Sequence, residues 1–203
     1  TECKVREVLN GEFELSMTYP IEGELMGSIC KEAIIAVKMR DRNDYQGFRI
    51  FSISKPLDKN VTIEAEHVSY KLAEIPLKNF SAGGIQEVLA AFRNHVVEGV
   101  YNPFTFQTNF INTAAPELIT DIPVTIKDVM GNDDGMMLSK DEWKNGEWKF
   151  DNWTISFLQN RGVDKSKTVC YQYGSNVASF NQDEDLSNTV TAVFPYWHTD
   201  YTD

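Results

Sequence analysis

No run of apolar residues in this 203-residue chain approaches the roughly 18 that a membrane-spanning helix needs, so membrane insertion is not expected. The opening stretch, TECKVREVLNGEFEL, is charged where a secretory leader carries its apolar segment, which removes the usual reason to expect a disulfide-stapled secreted domain. Because the chain also lacks an initiator Met and opens almost inside a strand, we read it as part of a longer protein. Cysteine is scarce: Cys3, Cys30 and Cys170 are odd in number and have no CxxC spacing, so neither a zinc ribbon nor a disulfide framework is expected. We expect reduced, mostly buried thiols of a protein made in a cytoplasm. Cations are outnumbered as well, 19 Lys and Arg against 30 Asp and Glu, a formal net charge of −11. A sequence-independent grip on nucleic acid depends on cations that release condensed counterions, so no specific nucleic-acid binding is expected.

Motifs that carry chemistry are missing too. There is no GxSxG, HExxH, GxGxxG or GxxxxGK, and Gly83-Gly84 alone cradles no phosphate. The three histidines are His67, His95 and His198. His67 lies in a strand-like run whose pleat sends Glu64 and Glu66 to the opposite face, and His95 adjoins the apolar stripe of a helix, so packing explains both. The loop Asn132-Asp133-Asp134-Gly135 has the look of a calcium loop, but with Gly135 at the glycine position Met130 stands where the first Asp ligand belongs. Asp183-Glu184-Asp185 reads as a solvated turn. Asn60, Asn79 and Asn152 head Asn-x-Ser/Thr triplets, which mean little without a secretion signal. We therefore expect no catalytic residue, no metal ligand, no cofactor and no enzymatic activity in this chain.

What is present is a packed protein: 42% of residues are hydrophobic and 12% aromatic, enough for one large domain or two small ones rather than a disordered chain. Phe13, Leu15, Met17 and Tyr19 alternate with polar residues and end at Pro20, a strand with one wet face. Ala33-Ile34-Ile35-Ala36-Val37, within an extended segment from Ile29 to Met39, suggests a strand buried on both faces. Asp41 to Asp44 makes a turn, and Gln46 to Ser54 and Val61 to Leu72 give two further strands. After Ile75-Pro76 the period changes. Ile85, Val88, Leu89, Phe92 and Val96 form a helical stripe between Gly84 and a left-handed stop at Gly99. Phe104 to Thr108 reads as a strand, Thr125 to Met130 as a short helix opened by Thr125 and Asp128, and Met136 to Trp143 as another helical turn. The fold class is α+β, mostly antiparallel β: a small β-barrel over residues 1–76, then a mixed α+β domain over 77–203 with one main helix.

The richest stretch is Gly146 to Trp197. Trp148 and Phe150 alternate in one parity, Asp151-Asn152 interrupts, and Trp153, Ile155 and Phe157 resume in the other, which predicts two strands and a two-residue turn. Asn160-Arg161-Gly162 ends the second strand, and Val169, Tyr171 and Tyr173 restart the alternation as a twisted antiparallel meander. Trp153 and Tyr171 are expected in the core; Trp143, Trp148 and Trp197 are candidates for a subunit interface or a glycan contact, given the enrichment of such side chains at interfaces.

The order GEWKFDNWTISFLQNRG, YGSN, DEDLSNTVTAVFPYW, preceded by NGEFELSMTYPIEG (Asn10 to Gly23) and QGFRIFSISKPLDKNVTIEAEHVSYKL (Gln46 to Leu72), resembles the N-terminal region of the phage tail-hub family, also called prophage tail endopeptidases or tail-associated lysins. The resemblance spans nearly the whole chain in the family's order. It implies a hub built of barrels and a mixed domain, trimeric, at the tail tip of a virion assembled in the bacterial cytoplasm. It also implies contacts with the distal tail protein and the tape-measure protein. In such a hub an acidic wall would let DNA slide past without sticking. The chain has room for one barrel of the family's pair, and lysin activity would belong to segments further C-terminal. Two other functions stay open at this point: a peptidoglycan-degrading tail endopeptidase, and a carbohydrate-binding host-recognition module.

Overall fold

The computed structural model describes residues 2–39, 44–54, 59–111, 116–131 and 136–162. The chain divides into a unit of residues 1–162, which holds every described residue, and a second unit of residues 163–203. The expected strand at Val169 to Tyr173, together with Cys170, the acidic turn at Asp183 to Asp185, Trp197 and His198, lies outside the described residues, as do the turn residues 41–43 and the loop at 132–135.

The alternation around Phe13 does build a strand, and a sheet forms about it. Strands β1 (Cys3–Glu7), β2 (Phe13–Pro20), β3 (Ile34–Lys38), β4 (Tyr45–Ile53) and β5 (Asn60–His67) are antiparallel in the order β1-β2-β5-β4-β3. The sheet curls into half a barrel. Phe13, Leu15, Phe48, Ile50, Val61, Ile63, Ala65 and His67 are buried on the concave face, and Glu14, Ser16, Arg49, Thr62, Glu64 and Glu66 take the other, the two-residue period of a pleat with one dry side. One register shift interrupts β4. Ile50 faces Ala65 and Ser52 faces Glu64, so Phe51 is the extra residue of a bulge and is turned outward, 46% exposed.

Three expectations are corrected here. β3 is not buried on both faces; it is an edge strand, and Ile34 is 57% exposed. The strand of β5 ends at His67 rather than Leu72, because the His67 side chain accepts a hydrogen bond from Ser69 N and opens a 3-10 segment, Val68–Glu74. Cys3 and Cys30 are exposed, not buried, one on an edge strand and the other in the loop before β3.

Residues after the sheet form β6 (Pro76–Leu77), β7 (Ser81–Gly83), α1 (Ile85–Asn94), β8 (Thr105–Thr108), β9 (Glu117–Ile119), β10 (Val124–Thr125), α2 (Ile126–Met130), β11 (Glu147–Asp151) and β12 (Thr154–Leu158). α1 buries Ile85, Val88, Leu89 and Phe92, the expected stripe. It stops short of Gly99 because Val96 leaves the helix to bridge Leu77, and Val97 N donates to Pro76 O at 3.1 Å. α2 carries the expected capping box: Thr125 Oγ1 accepts from Asp128 N at 3.2 Å, and Asp128 Oδ2 accepts from Thr125 N at 2.8 Å. Met136 to Trp143 forms a succession of turns, with Lys140 N donating to Met137 O and Trp143 N to Lys140 O. Ile75 and Leu77 are buried in the same cluster as Phe48 and Phe157, so the core is continuous across residue 76.

The β11-β12 hairpin pairs Trp148 with Phe157, Phe150 with Ile155 and Asp151 with Thr154. Its turn is therefore Asn152-Trp153, one residue later than the parity break predicts, and Trp153 is 39% exposed rather than in the core. The turn bends at Asn152, whose φ of +48° suits an Asn better than most residues. On its other edge β12 pairs with β8, and in parallel, which alternation alone does not foretell. Gly146 lies against the hairpin's aromatic core: an added Cβ would stand 2.1 Å from Phe157 Cζ. Phe157 is fully buried and stacked on Phe110 at 4.9 Å, so its ring has nowhere to retreat. Gly146→Ala is expected to destabilise the protein by about 1–3 kcal/mol, the usual cost of overpacking, measured as a lowered urea midpoint with an unchanged slope.

Candidate functional site

Two asparagines at positive φ join the curled sheet to the hairpin, each using its amide as a substitute peptide unit. β5 runs out opposite Phe48, which leaves residues 45–47 of β4 without a strand on that side. Asn152 fills the place: its Oδ1 accepts from Gly47 N at 2.8 Å and its Nδ2 donates to Tyr45 O at 2.8 Å. Asn10, with φ of +55°, does the same at the far end of β11: its Nδ2 donates to Gly146 O at 2.9 Å, and its Oδ1 accepts from Trp148 N at 2.7 Å. Arg161 reinforces that end, donating from Nη2 to Glu7 Oε1 and from its backbone N to Glu147 Oε2, both at 2.6 Å. Apart from Arg161 and Glu147, these partners are more than a hundred residues apart in sequence.

Behind Asn152 runs a buried polar chain. Gln46 Nε2 donates to Asp151 Oδ1 at 2.8 Å, and Gln46 Oε1 accepts from Asn152 N at 3.2 Å and faces His67 Nε2 at 3.3 Å. His67 Nδ1 faces Ser69 Oγ at 2.9 Å and accepts from Ser69 N at 3.3 Å. The neutral Nε2–H tautomer satisfies all of these contacts. The ring is stacked on Phe13 at 4.3 Å and meets Phe48 edge-on at 5.5 Å. His67 is thus a packed post, with Glu64 and Glu66 on the opposite face of the sheet. His95 closes α1 and leans on Phe80 at 5.6 Å. Among the described residues no group of three or more His, Cys, Asp or Glu stands close enough to hold a metal ion.

Of the candidate contact residues, Trp143 and Trp148 are each 2% exposed and belong to the core, so neither offers a face to a glycan or a partner. Burial follows from their neighbours: Trp148 packs against Phe157 at 4.5 Å, and Trp143 closes the turns that lead into β11. Trp197 lies outside the described residues. Trp153 at the hairpin tip does reach the surface, as do Tyr45, Phe51 and Tyr101. With Ile34, Trp153 lines a shallow cavity of about 160 Å³, bordered by Glu32, Arg49, Val68 and Lys71. Arg49 is tied to Glu66, to Glu74 at 2.8 Å and to Glu32 at 3.3 Å, and the hydrogen bond it donates to Glu66 leads the effects that hold its guanidinium charged well beyond the ordinary range. Among the described residues, β1 and β3 carry no further strand on their outer sides, and the hairpin tip is exposed.

A second cavity, about 310 Å³, opens between the Asn10 turn and α2, where Tyr70, Lys127, Met130 and Trp148 contribute to its walls. Tyr70 Oη accepts from Phe13 N at 3.3 Å and donates to Glu14 Oε1 at 3.2 Å, and burial pushes its pKa up to about 12. Lys127 Nζ lies 5.5 Å over the Phe150 ring, and burial lowers its pKa from the usual lysine value.

A curled, half-open antiparallel sheet followed by small sheets, one of them mixed, and a ten-residue helix makes up a fold shared with a prophage tail protein. The structure matches that of prophage tail protein gp18 from Listeria monocytogenes EGD-e with a TM-score of 0.55 at 12% sequence identity, over 77% of this chain and 43% of that chain. The chain thus spans less than half the length of that protein. No protein-family model matches the sequence, and no curated protein matches it.

Proposed function

We propose that the protein is a structural component of a phage or prophage tail, and more finely a hub subunit that forms a trimeric ring joining the tail tube to the tip. The observation that carries the reading is the fold shared with a prophage tail protein over 77% of the chain; the ordered resemblance of its aromatic segments to tail-hub proteins points the same way. The half-barrel, whose β1 and β3 edges carry no further strand among the described residues, supplies backbone donors and acceptors that a neighbouring subunit can pair. On this reading the chain works at the tail tip by assembly with copies of itself, with the distal tail protein and with the tape-measure protein, and any lysin activity belongs to other segments of the longer protein.

The test is the mass in solution, with negative-stain images, of the full-length product. A particle of three protomers with three-fold symmetry and a central opening is the expected result. A monomer without an opening at the concentrations found in assembling particles would overturn the hub reading. A glycan platform built on Trp143 and Trp148 has lost its support, because both indoles are buried.

A further inference from the structure

Where the hairpin tip meets β3, the surface carries an indole beside charged side chains that the fold has already fixed. Trp153 leans on Phe104, with ring centroids 5.3 Å apart, and is still exposed. With the exposed Ile34 and with Val68 it makes the apolar part of the cavity of about 160 Å³; Glu32, Arg49 and Lys71 make the polar part. Arg49 is anchored by its ion pairs to Glu32, Glu66 and Glu74. Glu32 stands at φ of +70°, a conformation few glutamates adopt, and is kept there by Glu32 N donating to Ile50 O at 2.9 Å. The bond from Arg49 takes one of the roughly four lone-pair sites of the Glu32 carboxylate, which is otherwise largely open to solvent.

We propose that this cavity binds a neutral pyranose ring, stacked by its C–H face on the Trp153 indole and hydrogen-bonded through its hydroxyls to Glu32 and Lys71. A cavity of roughly 150 Å³ takes one six-membered ring, and this one has about that volume. Walls that are part apolar and part charged select a ligand with an apolar face and a rim of donors and acceptors. A sugar has both, whereas a purely apolar ring would strip water from Glu32 and Lys71 and give nothing in return. The three carboxylates bonded to Arg49 outnumber the cations Arg49 and Lys71, so an acidic sugar would enter a negative setting. Because Glu32 and Arg49 are held before the ligand arrives, little ordering cost falls on binding.

The test titrates the 203-residue chain with methyl β-D-glucopyranoside and with N-acetylglucosamine, reading saturation-transfer difference NMR on the ligand protons. Concentrations run well above the roughly millimolar affinity expected of a one-ring ligand on a shallow site. Sorbitol, which has the hydroxyls of glucose without its ring, and acetyl-lysine-amide, a cation that an indole also attracts, are the comparisons. A saturable response to a pyranose, strongest at the C–H protons of one ring face, and none to sorbitol is the expected result. Trp153→Ala is expected to weaken binding at least tenfold, while Trp153→Tyr keeps an aromatic face and retains it within a few fold; urea midpoints check that each variant folds. Glu32→Ala leaves Arg49 its bonds to Glu66 and Glu74 and is expected to weaken binding several-fold, the loss of one hydrogen bond to a charged group. Absence of a saturable response to either sugar, an equal response to sorbitol, tighter binding of acetyl-lysine-amide than of either sugar, or undiminished binding by a folded Trp153→Ala or by Glu32→Ala overturns the proposal.

Discussion

Trp148→Ala is expected to lower the unfolding free energy by about 3–5 kcal/mol, and Trp148→Phe by less than half as much. The indole is 2% exposed and stands opposite Phe157, with ring centroids 4.5 Å apart. Phe157 in turn stacks on Phe110 and closes over Gly146, so removing the indole opens a void among rings that are already fixed on their other sides. That is the circumstance in which the cavity cost adds in full to the lost transfer energy. Phenylalanine refills much of the space and gives up nothing by losing the N–H, because Trp148 Nε1 has no acceptor among the described residues. A buried donor without a partner costs about 1–3 kcal/mol, and its removal offsets part of the lost volume. In a chain of this size a kcal/mol moves the melting temperature by roughly 2–4 °C, so the alanine variant is expected to melt roughly 10 °C lower. Urea unfolding followed by circular dichroism measures both variants. An alanine variant within 1 kcal/mol of the parent, or a phenylalanine variant as unstable as the alanine one, would show that the indole is not the packing centre described above.

The parts of the fold written in local pattern were legible. Alternation from Phe13 to Tyr19, the stripe of α1, the Thr125–Asp128 capping box and the presence of a hairpin between Trp148 and Phe157 each depend on residues close to one another in sequence. What escaped was set by distant chain. Ala33 to Val37 is as apolar as a central strand, yet β3 is an edge because β5 takes the place between β2 and β4. β8 joins β12 in parallel from about fifty residues away, and the Phe51 bulge shows only against β5. The hairpin turn was misplaced by one residue because a parity break looks the same at Asp151-Asn152 as at Asn152-Trp153; the shift exchanges which tryptophan is dry. The candidate site was the least legible. Its walls come from Glu32 and Ile34, from Arg49, from Val68 and Lys71 and from Trp153, brought together by pairings no local period records. One signal was available in the sequence: Asn10-Gly11 and Asp151-Asn152 are turn pairs flanked by strands, and asparagine is the residue whose amide can both tolerate positive φ and imitate a peptide.

Asn152→Ala is expected to cost about 2–4 kcal/mol, and Asn152→Gly about 1–2 kcal/mol less than that, by the following physical division. Both substitutions remove the side-chain amide, leaving Gly47 N and Tyr45 O without the partners they hold at 2.8 Å; a hydrogen bond is worth about 1 kcal/mol net, more where the abandoned group stays shielded. Alanine must also hold φ of +48°, which glycine does freely, and that strain accounts for the difference of about 1–2 kcal/mol between them. Asn152→Asp separates the two hydrogen bonds. The carboxylate keeps an acceptor for Gly47 N but turns an oxygen toward the Tyr45 carbonyl, next to Asp151, so it is expected to be no better than glycine. Because Gln46 Oε1 accepts from Asn152 N and its Nε2 donates to Asp151, Gln46→Ala should loosen the same joint, and the double substitution with Asn152→Gly should cost less than the two losses together. Hydrogen exchange at the Gly47 amide gives the local reading: it should quicken by ten-fold or more in Asn152→Gly while amides of α1 keep their rates. A Gly47 amide that stays protected, with a stable Asn152→Gly protein, would mean that the hairpin is held by its aromatic core alone. The joint also fixes the direction of Trp153, the exposed indole that lines a shallow cavity with Ile34 of β3.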